Sequence, residues 1–315
     1  MRAALRYERL RRRAEMLSRL RAFFAERGFL EVETPLLDDE VIPELHIEPF
    51  GVEGKLWLQA SPELHMKRLL AEGLPAIFQV TRSFRRGERG ALHNPEFTIV
   101  EWYRADDSMA DGVRLLDDLC QHVAEAPPAI RTTYAETFQR HAGIDPHRAS
   151  CDDLAAAALR LGVSVPESLV RDIRDEWLNL LLATRVEPQL GIASSEILLD
   201  YPASQSALAT TVVRADGTEV AERFELYWRG VELANGYREL TDAAVLRARL
   251  DRVNSARVAD GRPALLLPER LLAAMANPGL PPCSGCALGF DRLVMLACGA
   301  RTIDDVMTFP RENFG

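Results

Sequence analysis

The spacing of apolar positions changes several times along this chain, and each change marks an element. Leu10, Ala14, Leu17, Leu20 and Phe24 recur at helical intervals, which predicts an amphipathic helix over the first 27 residues, capped by Gly28. FLEVETPLL then reads as a strand closed by Pro35, and an acidic, proline-rich loop leads to a second strand, KLWLQA. SPELHMKRLLAEG reads as a helix opened by Ser61-Pro62, with proline in the first helical position, where it is favoured. AIFQVTRSFR and EFTIVEWYR read as strands joined by the polar, basic segment 86–94, a connection short enough to imply antiparallel pairing.

Pro127-Pro128 breaks this pattern. Thr133 with Glu136 is a capping-box signature for a short helix ending at Gly143, and Ser150 with Asp153 opens an alanine-rich helix that stops at Gly162. Leu169, Ile173, Trp177 and Leu180 mark a third. These helices, at about 127–185, are expected to form an insertion packed against the main sheet within one domain spanning 1–315. Strands return in EILLDYP and ERFELYWRGVELANG, followed by a helix from about Asp242 to Val258. CSGCALGFDRLVML then leads from a glycine-containing strand or loop into a helix. Short turns or long insertions, not regular single helices, separate the strands, so a mostly antiparallel sheet and an α+β fold are expected.

Composition narrows the function classes. A net charge of -9 argues against non-specific nucleic-acid binding, which requires neutralising phosphates with Lys and Arg. No apolar run approaches bilayer length, so no membrane partner is expected. Five cysteines, an odd number spread thinly, fit a reducing, cytoplasmic setting. The arginine-rich N-terminus also carries Glu8, Glu15 and Glu26 and lacks a cleavage pattern, so it reads as a helix of the fold and not as a transit peptide.

Three segments carry candidate chemistry. In TRSFRRGERGALHNPEF, Arg82, Arg85, Arg86 and Arg89 gather beside His93 and Asn94, and Phe97 follows as a surface on which a base could stack. The planar guanidinium binds phosphate oxygens in pairs and keeps its charge when desolvated. One face of the following strand holds Phe97, Ile99, Glu101 and Tyr103, which is either a solvated face or the floor of a polar pocket. In FELYWRGVELANGYREL, Glu225, Glu232 and Glu239 fall at intervals of seven, with Asn235 among them. Such carboxylates can hold magnesium, bind an amino group, or form an exposed acidic edge. In GCALGFDRL, Gly289 stands before a helix whose first turn holds Arg292, an arrangement suited to anions. Cys283 and Cys286 have no second Cys or His pair at zinc spacing, and His46, His65, His122, His141 and His147 are too scattered for a role. Neither a P-loop nor a G-x-G-x-x-G is present.

In their order, these segments resemble the three signature motifs of class II aminoacyl-tRNA synthetases. Within that class SPELHMKRL, HNPEFTIVEWY and ELANGYREL are similar to the lysine-pocket segments of lysyl-tRNA synthetases. The helix expected in motif 1 begins at the N-terminus, which leaves no room for the anticodon-binding domain of those enzymes. In this it looks like the branch of the family that attaches (R)-β-lysine to a lysine of translation elongation factor P. Ala287, standing where lysyl enzymes usually have glycine, agrees with a reshaped pocket near the substrate's amino group.

The resemblance implies a homodimer through the first helix and strand, ATP and Mg2+ as requirements, and (R)-β-lysine or lysine as substrate. It places Arg85 and Arg292 as catalytic residues on the ATP phosphates, with Phe97 and Arg292 on either side of adenine. Arg86, Gly87, Glu88, His93, Asn94, Glu232, Leu233 and Gly289 would complete the ATP site, and Glu225 with Glu232 would hold magnesium. Ser61, Pro62, Glu63, Glu101, Tyr103, Asn235, Glu239 and Ala287 would bind the substrate, whose two ammonium groups call for several acids. Motif 2 commonly reads Arg-x-Glu; here Arg86 and Gly87 precede Glu88, so either Glu88 serves as that acid from a shifted loop or the contact is missing. A truncated lysyl-tRNA synthetase and a non-catalytic regulatory subunit are the competing readings. The acidic charge and the absent anticodon domain weigh against tRNA as acceptor, and the retained arginines and glutamates weigh against an inert subunit.

Overall fold

Helix α1 (Arg2–Ala25) opens the computed structural model, which describes residues 2–310. Met16, Leu20, Phe23 and Phe24 on its inner face are fully buried, and Gly28 ends it in the left-handed conformation (φ +77°). The strand expected over FLEVETPLL is two short pieces on different sheets: β1 (Leu30–Glu31) and β2 (Leu37–Asp38). Pro35, which has no N–H to give a ladder, stands at the break. β2 joins β3 (Phe50–Val52) and β4 (Leu56–Leu58) in a small antiparallel sheet ordered β2-β4-β3. In α2 (Glu63–Ala71), Pro62 is the cap and not the first helical residue, and Ser61 Oγ accepts the Glu63 N–H at 3.0 Å.

Strands β5 (Ala76–Phe84) and β6 (Glu96–Ala105) form the expected antiparallel pair, and β1 runs parallel along the far edge of β5. After α3 (Met109–Ala124), capped by a Ser108–Asp111 box, the chain leaves this unit at residue 126 and returns at 239.

The intervening residues, 127–238, form a second unit. It contains β7 (Ile130–Thr133), α4 (Tyr134–His141), α5 (Cys151–Arg160), α6 (Arg174–Leu181), β8 (Glu196–Pro202), β9 (Thr211–Val213), β10 (Glu219–Trp228) and β11 (Val231–Arg238). Both predicted capping boxes are present, Thr133–Glu136 on α4 and Ser150–Asp153 on α5. α6 starts later than its apolar spacing suggested, since Leu169 and Ile173 lie before its first residue. The strands run β11-β10-β8-β7 with β9 also on β10, and only β7–β8 is parallel. Arg229 and Gly230, both at positive φ, make the two-residue turn between β10 and β11, as right-handed strand twist favours.

The first unit is completed by α7 (Ala243–Ala259), α8 (Glu269–Ala274), β12 (Cys283–Gly289) and α9 (Phe290–Ala297). β12 pairs antiparallel with β6, so β6 is bonded on both edges. It is also covered on both faces. Trp102 and Val100 pack on the side of Phe24 and Phe78, whose rings stack at 4.5 Å, while Ile99, Glu101 and Tyr103 are buried on the other side. In both units the strands are mostly antiparallel and carry helices, which makes this an α+β protein.

Candidate functional site

The polar face of β6 is the floor of a largely buried polar cluster in the first unit. Residues paired across a sheet share a face, and here Gln79, Glu101 and Ala287 are partners in one row, and Ile77, Tyr103 and Gly285 in the next. A Cβ at Gly285 would overlap the Tyr103 ring and Glu239 Oε1, so this position requires glycine. One turn of α2 places Glu63 and Lys67 side by side. The Glu239 N–H donates to Cys283 O at 3.0 Å, which brings that carboxylate beside β12. Lys67 Nζ then lies 2.5 Å from Glu63 Oε1 and 2.6 Å from Glu239 Oε2. Glu101 accepts hydrogen bonds from Tyr103 OH (2.5 Å) and Ser61 OH (2.8 Å). Pro62 links Ser61 to Glu63 and is itself buried.

Three carboxylates around one lysine, two of them buried, disturb one another strongly. Burial, and then the neighbouring Glu63 charge, push Glu101 up to about 8. Burial also raises Glu239 to about 7; Lys67 opposes that rise and Glu63 adds to it. Burial disfavours the Lys67 ammonium, yet the Glu239 and Glu63 carboxylates hold it above the ordinary lysine range. Tyr103 is raised by burial and by the surrounding acids, so its phenol stays protonated and donates.

A second cluster in the same unit gathers the expected nucleotide residues. The Arg85 guanidinium carbon lies 5.0 Å from the Phe97 ring centroid. Glu88 reaches Arg85 only as a loose ion pair at 3.9 Å. Gly87 at φ +82° lets the chain turn there, and the Arg86 N–H is held by Glu48 O at 2.7 Å. Arg292 donates through Nε to Leu92 O (3.2 Å) and lies 2.6 Å from His93 Nε2 through Nη2. Partial loss of hydration and the Arg292 charge lower the His93 pKa, which favours a neutral ring accepting from Arg292. Asn94 is buried and donates to Glu96 O at 2.6 Å, so it shapes the entry into β6. Gly289 caps α9, and Asp291 beside Arg292 accepts the Thr98 N–H at 2.7 Å and Arg13 Nη1 at 2.6 Å. The first turn of α9 is thereby fixed to β6.

The remaining acids lie in the second unit. Glu225, 4% exposed, accepts from Tyr201 OH, from Tyr227 OH at 2.5 Å and from Arg223 Nη2 at 2.5 Å. Glu225 pairs with Asn235 and Tyr227 with Glu232, across a register shift that leaves Leu233 as the extra residue. This bulge puts Glu232 on the same face as Glu225 and Asn235, which a regular strand would not. Asn235 Nδ2 donates to Tyr237 OH at 3.0 Å, while its buried Oδ1 has no hydrogen-bond partner among the described residues. An exposed acidic edge is therefore excluded for Glu225 and, at 2% exposure, for Glu239. No cluster of three or more His, Cys, Asp or Glu side chains suited to a metal occurs among the described residues.

Residues 1–313 match the family model for class II tRNA synthetases of the D, K and N type. The chain belongs to that family. Among class II relatives, a Proteus mirabilis protein named elongation factor P--(R)-beta-lysine ligase is 44% identical over 310 residues, covering 96% of this chain and 94% of the relative. Proteins of the same name from Salmonella dublin and Salmonella enteritidis PT4 are 44% identical over 309 residues, with 95% and 94% coverage. In this class II chain, sequence reasoning missed Lys67, Gly285 and the Arg13–Asp291 link. Lys67 had a local signal, its four-residue spacing from Glu63 on a predicted helix; Gly285 had one in its two-residue spacing from Ala287.

Proposed function

We propose that this chain is an ATP-dependent ligase that activates (R)-β-lysine as an adenylate and transfers it to the ε-amino group of a lysine on elongation factor P. The observation that carries this reading is the Glu63–Glu101–Glu239 cluster, with Glu101 and Glu239 buried and Glu63 half-buried, whose surplus of acid suits a substrate with two ammonium groups. The names of the relatives, aligned over nearly the whole chain, support the same substrate and acceptor. Ala287, paired with Glu101, adds a methyl beside the floor, in keeping with an amino group moved to the β carbon. The reading takes 1–315 as one catalytic domain with the helices of 127–185 as an insertion, and as a homodimer.

In the first step a substrate carboxylate oxygen attacks the α-phosphorus of ATP, a P–O bond forms, and the bond to the leaving pyrophosphate breaks. Arg85 and Arg292 hold the phosphates as charge shifts onto them, with Phe97 and Arg292 flanking the base and Arg86, Gly87, Glu88, His93, Asn94, Leu233 and Gly289 shaping that site. Ser61, Pro62, Glu63, Glu101, Tyr103 and Glu239 fix the amino acid, and Asn235 is a further candidate for that role. In the second step the acceptor's neutral ε-amine attacks the acyl carbon, the C–N bond forms, AMP leaves, and the amine's proton passes to solvent. Glu225 and Glu232 share one face and would hold Mg2+, but the Glu225 oxygens already accept from Arg223, Tyr201 and Tyr227, so the ion would have to displace donors there. The ion would neutralise phosphate charge.

Pyrophosphate exchange with α-lysine and both β-lysine enantiomers, followed by transfer to elongation factor P or tRNA, tests the reading. Exchange should be fastest with (R)-β-lysine and transfer should go to the factor. Efficient tRNA charging with an unmodified factor would overturn it in favour of a truncated lysyl-tRNA synthetase.

A further inference from the structure

Lys67 has no part in the roles assigned above, yet it is the centre of the amino-acid pocket. Its side chain is 3% exposed, with the ammonium between Glu63 and Glu239 and 5.9 Å from the Tyr103 ring centroid. Held by two carboxylates and closed off from water, it cannot swing out to make room for a ligand. We infer that Lys67 is a positioning residue that sets the charge of this pocket, orienting Glu63 and Glu239 and cancelling one of three acids so that the site matches a substrate with two ammonium groups. The inference rests on the proposed diammonium substrate.

Charge counting makes the case. The groups facing Lys67 are Glu63 on α2, Glu239, Glu101 and Tyr103 on β6, and Cys283 on β12. Arg270 on α8 is turned toward Asp38, Asp39 and Glu40 and does not offset the pocket. Ionised Glu63, Glu101 and Glu239 with Lys67 leave two negative charges, which two ammonium groups bring to zero. A substrate with one ammonium leaves a carboxylate buried without a counter-charge, at a cost of several kcal/mol or the uptake of a proton. Lys67 also restrains geometry. It takes one oxygen of Glu63 and one of Glu239, so the two carboxylates, on separate segments, face the ligand in fixed orientations.

The test is Lys67→Met in amino-acid-dependent pyrophosphate exchange, measured across pH, with thermal unfolding as a check on folding. Losing a cation within about 4–6 Å of an acid should raise that acid's pKa by roughly 1–3 units. The acidic limb of kcat/KM for (R)-β-lysine should therefore move up by about one unit or more. KM should rise about tenfold or more while kcat changes little, the sign of lost ground-state binding. Lys67→Arg should return the limb to its wild-type position. If Lys67→Met does not fold, Lys67→Gln, which keeps two N–H donors for the carboxylates, carries the same measurement. A folded neutral variant with wild-type KM and an unmoved limb, even one with a lowered Tm, would reduce Lys67 to a structural ion pair. If the wild type shows no exchange with (R)-β-lysine, the functional reading fails instead, so the two failures are distinguishable.

Discussion

Two buried acid clusters in this protein use the same residue types for opposite ends. Around Glu225, the carboxylate meets one guanidinium, Arg223, and two phenols, Tyr201 and Tyr227, the second also 3.3 Å from Glu187. Around Glu101, three carboxylates meet a single ammonium, Lys67, with one phenol and one hydroxyl. In the first cluster Glu225 has its own counter-charge and several donors, as a buried ion pair must to be tolerated. The second carries an excess of acid, and there burial first, with the Glu63 charge adding to it, raises Glu101 and Glu239. A folded protein keeps such an imbalance where a ligand supplies the missing charge. Burial of acids alone does not mark a site; an unbalanced count does.

The same conservative change should then have opposite effects on stability in the two places. Glu225→Gln leaves the half-buried Arg223 without a full counter-charge and should cost about 3 kcal/mol in urea unfolding, the lower end for a broken buried pair. A cost below about 1 kcal/mol would mean that the cluster is not the ion pair described, since exposed pairs contribute no more than this. Glu101→Gln removes a charge that burial disfavours, so it should not destabilise the fold near pH 8. It should instead weaken the grip on a diammonium substrate, with kcat/KM in pyrophosphate exchange falling about a hundredfold, or ~2.7 kcal/mol. Loss of stability together with unchanged exchange would reverse the comparison.

Features written in local chemistry were legible in the sequence. The Thr133–Glu136 and Ser150–Asp153 boxes need only residues three apart, and the β5–β6 pair needs only a short polar connection. Alternation along β6 placed Phe97, Glu101 and Tyr103 on one face. What depends on distant partners was hidden. Both faces of β6 are buried because α1 covers one and the pocket's walls cover the other, and no period within the strand reports that. FLEVETPLL broke in two because two different sheets compete for it on either side of Pro35. Glu239 meets Lys67 only after the chain has built the whole second unit and returned. The bulge at Leu233 brings Glu232 to the face of Glu225, which their seven-residue spacing does not report.

The last expected effect is a pH dependence of stability that a ligand should erase. An acid raised in the folded state binds its proton more tightly there than when unfolded, so folding is favoured while that proton is present. For Glu101, raised to about 8, and Glu239, raised to about 7, this contribution is complete below the ordinary glutamate range. It is lost as pH rises from about 4.3 through those values. The unliganded protein should thus lose several kcal/mol between pH 5 and 8 from these groups. Glu101→Gln should flatten the slope by about half. The Glu225 cluster predicts no such flattening from Tyr201→Phe, which leaves the Arg223 counter-charge in place. Saturating (R)-β-lysine should bring its own cations to both acids and remove most of the slope, with release of about one proton per site near pH 7. Titration calorimetry in two buffers of different ionisation enthalpy reads that proton directly. Binding with no proton released, and a slope unchanged by Glu101→Gln, would show that the acids are already neutralised within the protein and that the imbalance between the two clusters is not real.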